Sequence, residues 1–428
     1  MRIFMLTIGT RGDVQPFVAL GEAYVQRGHE VTLCTSQSFA PMITERGLSY
    51  AYIDDSILQF MGSESGGMAV ERGGGLLTWM RSALELSRQI RPHFRQMLDE
   101  AWQAAVAAQP DMILYHPKAL GGFDIAQKLG IPGFLVLLQP IYLATAEFPM
   151  MLFPDWPLGS WYNRVTYRVT PLLQAAQMGI VNAWRRQTLG LPKRSLFRGE
   201  LRRLDNGRPV PVLHAYSRHV IPQPPDWPDT AVTTGYWFLD QHSSWTPPDD
   251  LRRFLQIGPP PVYIGFGSIA GKNPHETAQR VIDALVVSGE RGLIATGWGG
   301  LETNRLPDNI FQIDVVPHDW LFKHISAVVH HGGAGTTAAG LRAGKPSILC
   351  PFFGDQPLWA RRITALGVGP EPVPQKELTA ANLATAIRTA TNDLLMRQRA
   401  AKLGEAIRAE KGTEQAIAFI ARHLAAPQ

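Results

Sequence analysis

The stretch Val328–Pro346, VVHHGGAGTTAAGLRAGKP, decides the fold. An apolar strand ends in two histidines, a glycine-rich turn follows, and a helix begins near Ala334. Glycines let the backbone approach a ligand closely, and the free N–H groups at a helix start attract anions. The pattern predicts a strand–turn–helix unit that binds a phosphate, with His331 as a hydrogen-bond donor. An ordinary turn with core histidines is the alternative.

Short apolar runs alternate with longer helical runs in both halves of the chain, which predicts an α/β protein with parallel sheets. A chain of 428 residues is too long for one ordinary core, so we expect two domains. The expected division is a first domain at 1–220, a proline-rich connector at 221–250 and a second domain at 251–405. A final helix at 406–428 is expected to pack back on the first domain.

Composition limits the class of protein and of partner. With 45% hydrophobic and 18% charged residues, the chain is typical of a soluble globular protein. A net charge of +5 without a lysine-rich run favours small anionic partners over nucleic acid. Cys34 and Cys350 lie in separate apolar runs, which indicates buried thiols in a reducing compartment. We expect a cytoplasmic protein, with peripheral membrane contact left open and the oligomeric state undetermined.

Two further motifs in the second half carry polar side chains at strand ends, where ligands bind in such folds. In PFFGDQPLWARR, residues 351–362, Asp355 and Gln356 combine a carboxylate with an amide, which suits neighbouring sugar hydroxyls. A helix cap is the competing interpretation of Asp355. In YIGFGSIAG, Ser268 follows a glycine at a strand end and is placed to bond a phosphate.

The regular alternation stops between about residues 141 and 204, where methionine and aromatic residues crowd together with prolines. This aromatic insert forms either helical cover for a core or the wall of an apolar ligand pocket, because such side chains adapt to bulky surfaces. The candidate ligand contacts in it are Met150, Phe153, Trp156 and Trp161.

The motif that contains His331, together with GTRGDVQPFVALG, VYIGFGS and YHPKALGGFDIAQKLGIP, resembles the GT-B fold family 1 glycosyltransferases. The similarity is strongest to the branch of sterol 3β-glucosyltransferases and antibiotic glycosyltransferases. The resemblance implies two Rossmann-like, doubly wound domains that face each other across a cleft. It also implies an N-terminal domain for the acceptor and a C-terminal domain for a nucleotide-sugar donor.

The resemblance assigns donor contacts position by position. Val316 and His318 match the loop that holds the nucleotide base, and Asp355 and Gln356 match the residues that recognise the hexose hydroxyls. The positions implied to hold the diphosphate are Ser268, His331, Gly335 and Thr336, and Gly12 and Gly333 are further candidate donor contacts. Val315 and Ala339 depart from the plant pattern of tryptophan and glutamate, so the residue that recognises the ribose is unassigned. A TDP-sugar therefore stays open beside UDP-glucose.

The first tight turn of the chain, TIGTRGDVQP at residues 7–16, carries Asp13 where plant members of the family have their catalytic histidine. The resemblance makes Asp13 the candidate general base, while the turn alone allows a plain helix cap. His116 stands where plant members have the aspartate that partners this histidine. An Asp–His pair with exchanged roles is one hypothesis, and a structural histidine is the other.

Together these features predict an inverting glycosyltransferase. It moves a hexose, glucose from UDP-glucose in the first instance, to a hydroxyl of a sterol-like or other bulky hydrophobic acceptor, giving a β-glycoside. No metal or cofactor is expected, since the nucleotide sugar is a co-substrate. The alternatives are a polyketide, phenolic or lipid acceptor with a TDP-sugar, a sugar-nucleotide epimerase, and a non-catalytic relative that binds nucleotide sugars or lipids.

Overall fold

The computed structural model describes residues 1–56, 76–194, 209–240, 245–267, 274–296, 306–352 and 354–425. The chain divides into two compact units. The first unit contains Met1–Tyr216, Gln223–Leu239 and Gly412–Gln428. The second unit contains Ser217–Pro222 and Asp240–Lys411.

The first unit is built on a parallel sheet, which in the described residues has the strand order β3-β2-β1-β4-β5-β6-β7. Its strands are β1 Arg2–Leu6, β2 Glu30–Thr35, β3 Ser49–Tyr52, β4 Met112–Tyr115, β5 Gly133–Leu137, β6 Val212–His214 and β7 Ala231–Thr233. The strand order reverses between β1 and β4. Ligands of doubly wound sheets bind beyond the carboxyl ends of the strands at such a switch point.

Helices cover this sheet and bury its core. They are α1 Arg11–Val25, α2 Ala40–Thr44, α3 Leu76–Ala108, α4 Gly122–Leu129, α5 Gly159–Thr166, α6 Thr170–Trp184 and, late in the chain, α14 Gly412–Ala425. Phe17 of α1 and Phe419 of α14 belong to one buried cluster with Met5 and Leu114 from the sheet. The C-terminal helix is therefore part of the core of the first unit.

The second unit repeats the plan with a parallel sheet of order β10-β9-β8-β11-β12 in the described residues. Its strands are β8 Val262–Gly265, β9 Gly292–Ala295, β10 Ile310–Ile313, β11 Val328–His330 and β12 Ser347–Leu349. Its helices are α7 Asp249–Gln256, α8 Pro274–Ser288, α9 His318–Leu321, α10 Ala334–Arg342, α11 Gln356–Ala365, α12 Ala380–Asn392 and α13 Leu394–Ala409. The switch point lies between β8 and β11, and the prediction of two doubly wound, parallel-sheet domains is confirmed.

Two local features differ from the sequence expectation. The run of residues from Val14 to Arg27 by itself predicts a helix over 14–27, but α1 begins at Arg11, because the Asp13 carboxylate accepts a hydrogen bond from the backbone N–H of Thr10 and adds a turn. Within the expected connector, Ala231–Thr233 pairs with β6 as the edge strand β7, and Trp237 packs into the first core. Alternating apolar residues in this proline-rich stretch suffice to add it to the sheet.

The burial of the two cysteines agrees with the sequence prediction. Cys34 and Cys350 are both buried free thiols, and burial raises the pKa of Cys350 to about 12. Buried, protonated thiols of this kind are poor nucleophiles.

Among the helices of the described residues, none combines the length and the apolar character that crossing a membrane requires.

Candidate active site

The switch point of the second sheet carries the histidine and glycines of the deciding stretch. His331, Gly332 and Gly333 follow β11, and Gly267 follows the neighbouring strand β8. A Cβ atom added to Gly267 would lie 3.1 Å from Cε1 of His331, and one added to Gly333 would lie 2.5 Å from its Nε2. The imidazole therefore fits between two backbone segments that only glycine leaves open.

His331 is held as a neutral ring. Burial lowers its pKa, and the nearby Asp355 carboxylate only partly offsets that effect. Its Nδ1 is buried and has no hydrogen-bond partner in the described residues. A neutral imidazole offers one N–H donor, so this ring is equipped to bond an oxygen of a ligand. His330 points inward instead, where its Nδ1 accepts the backbone N–H of Gly332 at 3.1 Å.

The start of α10 is open to an anion. Its N-cap residue is Gly333, and no side chain caps the helix. The first N–H groups of a helix have no partner inside it, and the helix dipole makes this end positive. Gly335 is exposed and Thr336 is half-buried on this first turn. The turn and helix start therefore form a concave set of donors suited to a phosphate group.

Asp355 and Gln356 stand at the start of α11, beside the glycine turn. A Cβ on Gly332 would lie 3.2 Å from Cβ of Gln356, which shows how closely the two segments approach. The Asp355 carboxylate accepts a hydrogen bond from the buried indole of Trp359 at 2.8 Å and makes no side-chain cap to its helix. The Gln356 amide oxygen accepts the backbone N–H of Phe352 at 2.6 Å. Both side chains are thereby fixed next to His331.

The loop after β10 supplies the positions expected to hold a base. Val316 packs against the apolar cluster of the second unit, while Val315 is 80% exposed. His318 stacks on Phe322 with ring centroids 4.4 Å apart and lies near the hydroxyl of Tyr263 on β8. Ser268, the other predicted phosphate contact, lies outside the described residues.

The switch point of the first sheet carries a buried carboxylate. Asp13 is 4% exposed, and its Oδ2 accepts hydrogen bonds from the backbone N–H and the hydroxyl of Thr10, at 2.9 and 3.2 Å. Gly9 has a φ of +146°, and any Cβ there would collide with this carboxylate. The Lys118 ammonium donates to Oδ1 at 2.6 Å. Gly12, half-buried, lies next to Asp13 in the same turn.

His116 lies at the end of β4 but forms no hydrogen bond with Asp13. Its Nδ1 accepts the backbone N–H of Lys118 at 3.3 Å, and its ring packs edge-on against Phe17. Burial lowers its pKa to about 4, although Asp13 opposes the shift. In this structure the bonded partner of Asp13 is a lysine and His116 is a neutral, buried ring, so a catalytic role for His116 stays a prediction.

Comparison with known proteins gives the family. Residues 291–421 match the domain family described as Erythromycin biosynthesis protein CIII-like, C-terminal domain. Residues 3–146 match the Glycosyltransferase family 28 N-terminal domain. A Sterol 3-beta-glucosyltransferase of Emericella nidulans is 37% identical over 438 residues, covering 99% of this chain and 30% of that protein. Both halves of the chain are thus similar to domains of GT-B glycosyltransferases.

Solved structures agree with the fold of this GT-B chain. The glycotransferase of kitacinnamycin has a TM-score of 0.73 at 21% identity, covering 99% of this chain and 98% of its own. The glycosyltransferase VinC, solved in complex with DTDP, has a TM-score of 0.66 at 18% identity and covers 99% of both chains. The resemblance stated from the motifs is confirmed. The GT-B chain spans about 30% of the length of the curated relative named above.

The aromatic insert of this GT-B chain is split between core and surface. Met150 is fully buried, and its backbone N–H donates to the hydroxyl of Thr166 at 2.8 Å. Its side chain is closed off from solvent in this structure, and its role as a ligand contact stays a prediction. Phe153 is half-buried, and Trp156 and Trp161 are 57% and 73% exposed. These three side chains remain candidates for contact with an apolar molecule.

Sequence reasoning did not identify Lys118 and Thr10 as part of this site. Lys118 is separated from Asp13 by 105 residues, and no local pattern relates them. The adjacency of β1 and β4 was the available signal, since residues just beyond neighbouring parallel strands meet.

Within the described part of the chain, no group of three or more His, Cys, Asp or Glu side chains is arranged to hold a metal ion.

Proposed function

We propose that this GT-B chain transfers a hexose, glucose from UDP-glucose in the first instance, to a hydroxyl of a bulky hydrophobic acceptor such as a sterol. One observation carries the proposal: a buried carboxylate occupies the switch point of the first sheet, and an uncapped helix start with a neutral histidine occupies that of the second. A base and a diphosphate site are the two parts that sugar transfer requires.

In the proposed reaction, Asp13 accepts the proton of the acceptor hydroxyl at Oδ1. The acceptor oxygen attacks the anomeric carbon as the bond from that carbon to the diphosphate oxygen breaks. The leaving diphosphate keeps the bonding electron pair. His331 and the N–H groups at the start of α10 stabilise its growing negative charge, a form of electrostatic catalysis that acts without rearrangement. A single displacement inverts the configuration and gives a β-glycoside from an α-linked donor.

The donor assignment rests on the residues beside His331. Asp355 offers carboxylate oxygens and Gln356 an amide at the start of α11, a combination suited to sugar hydroxyls. Val316, His318 and their loop are proposed to hold the base, and Gly12, Gly333, Gly335 and Thr336 to contact the diphosphate. No cofactor is proposed. The relative named a sterol glucosyltransferase supports glucose and a sterol, while the neighbour bound to DTDP keeps a TDP-sugar as the second donor candidate.

The acceptor proposal rests on one half-buried and two exposed aromatic residues of the first unit. Phe153, Trp156 and Trp161 offer apolar surface. A ligand that covers a large apolar side chain removes it from water, which contributes favourably to the free energy of binding. A flat sterol-like molecule presents the matching surface. A polyketide, a phenol or a lipid with one free hydroxyl presents it as well, so a panel of acceptors is needed to choose among them.

The first test is a screen of donors and acceptors with detection of products by mass. UDP-glucose and TDP-glucose are each combined with a sterol, a phenol and a macrolide, and we expect hexosylated sterol from UDP-glucose. Product only from TDP-glucose would replace the donor, and product only on other alcohols would replace the acceptor. Nucleotide binding without any product would leave a non-catalytic binding protein.

The second test is Asp13→Asn, which keeps the size of the side chain but removes its basicity. We expect kcat to fall by about 10²–10⁴-fold, the usual contribution of a general base. Binding of UDP, measured by calorimetry, should stay unchanged. Asp111→Asn is the matched control, because this carboxylate lies exposed in the same unit and pairs with Arg2. Full activity of Asp13→Asn would remove Asp13 from the mechanism.

A further inference from the structure

Lys118 is the direct cationic partner of Asp13. It lies in the loop after β4, and its ammonium nitrogen is 2.6 Å from Oδ1 of the carboxylate. The Asp13 side chain is 6% exposed, while the Lys118 side chain is 49% exposed. The ion pair therefore joins a buried base to a flexible side chain that reaches solvent.

The two carboxylate oxygens of Asp13 have different partners. Oδ2 is held by the backbone N–H and the hydroxyl of Thr10, so that side of the carboxylate is fixed by the turn itself. Oδ1 is bonded by Lys118 alone among the hydrogen bonds of the described residues. A carboxylate oxygen accepts more than one hydrogen bond, and Oδ1 is therefore the oxygen with room for an incoming hydroxyl.

Burial favours the neutral form of a carboxylate, whereas a nearby positive charge and hydrogen bonds favour its ionised form. The titratable groups that face Asp13 from the loop after β4 are Lys118 and His116. His116 cannot supply the charge, since burial lowers its pKa to about 4 and leaves it neutral near pH 7. Arg11, two residues before Asp13 on α1, is exposed to solvent and has an interaction of its own.

We propose that Lys118 is a positioning residue that keeps Asp13 ionised and withdraws from Oδ1 when an acceptor hydroxyl arrives. This inference rests on the proposed function. The proton passes from the acceptor hydroxyl to Oδ1, the hydroxyl oxygen supplies the electron pair of the new glycosidic bond, and Lys118 keeps all its protons. A cation beside a carboxylate also makes it a weaker base. Lys118 therefore helps Asp13 to stay ionised at lower pH but lowers its basicity.

The test compares the pH dependence of kcat/KM for the wild-type chain, Lys118→Met and Lys118→Arg. Lys118→Met should move the acid limb of the profile to higher pH by about one unit, the lower end of the effect of an opposite charge at this distance. At pH 9 its kcat/KM should equal or exceed that of the wild type, because Asp13 is then ionised and more basic. Lys118→Arg should restore the wild-type limb.

Lys128→Met is the matched control for net charge. Lys128 is exposed at the end of α4, so its removal changes the charge of the same unit without touching Asp13, and the profile should not move. Loss of activity by one constant factor at every pH in Lys118→Met, or an unmoved acid limb, would overturn the inference. Thermal unfolding followed by circular dichroism establishes that each variant is folded.

A second readout separates the failure of this inference from the failure of the proposed function. In protein labelled with ¹³C at the aspartate carboxyls, the Asp13 resonance is assigned by its loss in Asp13→Asn, and its titration needs no substrate. We expect its midpoint to rise in Lys118→Met. An unchanged midpoint rejects the role of Lys118, whereas a wild-type chain that forms no glycoside rejects the function and leaves the ion pair standing.

Discussion

At the scale of single residues, the proposed phosphate site depends on the space that glycine leaves around one imidazole. His331 lies between Gly267 and Gly333; a Cβ on Gly333 would come within 2.5 Å of the ring, and one on Gly267 would make a tight contact at 3.1 Å. Gly267 also has a φ of +66°, which other residues rarely adopt, whereas Gly333 has an ordinary φ of −61°. Glycine is therefore needed at position 333 because a side chain there would strike the His331 ring, although the backbone conformation at this position suits any residue.

Gly333→Ala should weaken UDP binding only by displacing the His331 ring. The new methyl group would lie 2.5 Å from Nε2, so the ring must turn away from the ligand side. We expect the Kd of UDP to rise by about 10- to 100-fold, the cost of losing one hydrogen bond to a charged group. Calorimetric titration measures this rise.

Gly179→Ala serves as the control, because a Cβ in this helical position of the first unit meets only the end of a flexible arginine at 3.8 Å. Its UDP affinity should match that of the wild type. Tight UDP binding by Gly333→Ala would show that His331 does not contact the diphosphate.

At the scale of elements, a buried charge cluster joins α4 to the end of the aromatic insert. Asp124 in the first turn of α4 pairs with Arg185 and with Arg194, and all three side chains are at least nine-tenths buried. Arg185 also donates to the carbonyl of Pro192 and to the amide of Gln127, both at 2.9 Å. The π-helical turn Arg185–Leu189 is thereby fixed against the helix that follows β4.

Asp124→Asn should be strongly destabilising, because it leaves two buried guanidinium groups without a counter-charge. Breaking a buried ion pair by removing one partner typically costs about 3–5 kcal/mol. Denaturant titration of the whole chain measures the change in the free energy of unfolding. Asp111→Asn, which removes an exposed ion pair with Arg2, should have a far smaller effect. Equal effects of the two substitutions would show that the buried cluster contributes no more than a surface pair.

At the scale of the whole molecule, buried histidines set the acid stability of both units. Burial lowers the pKa of His116 to about 4 and of His214 to about 3, and it lowers that of His330 well below its usual value. The folded chain keeps these rings neutral, while the unfolded chain protonates them near pH 6.5. Unfolding therefore takes up protons below that pH.

The melting temperature should consequently fall as the pH is lowered from 7 to 5, before the ordinary carboxylates titrate. Each histidine adds up to about 1.4 kcal/mol of lost stability per pH unit below its unfolded pKa. Glu410, whose pKa burial raises, acts in the opposite direction but is one group against three. Scanning calorimetry at several pH values checks the trend, and a flat or rising melting temperature over this range would contradict it.

The local pattern of the chain predicted the alternation of strands and helices and the glycine turn, but it missed the edge strand β7. Strand, glycine turn and helix follow one another within Val328–Pro346, so their order fixes where His331 and the start of α10 lie. The apolar runs likewise predicted both parallel sheets, because residues buried on two faces leave a continuous apolar signal. The role of Met150 stays a prediction, since burial of an apolar residue against core or ligand looks alike in sequence.

The sequence alone therefore determined the elements, the fold class, the family resemblance and the position of Asp13 on the first turn, because each depends on neighbours along the chain. Only the tertiary structure decided which groups meet. Lys118 reaches Asp13 because β4 lies beside β1, and Gly267 frames His331 because β8 lies beside β11. Such contacts join residues from distant parts of the chain, and the strand order that brings them together leaves no local trace in the sequence.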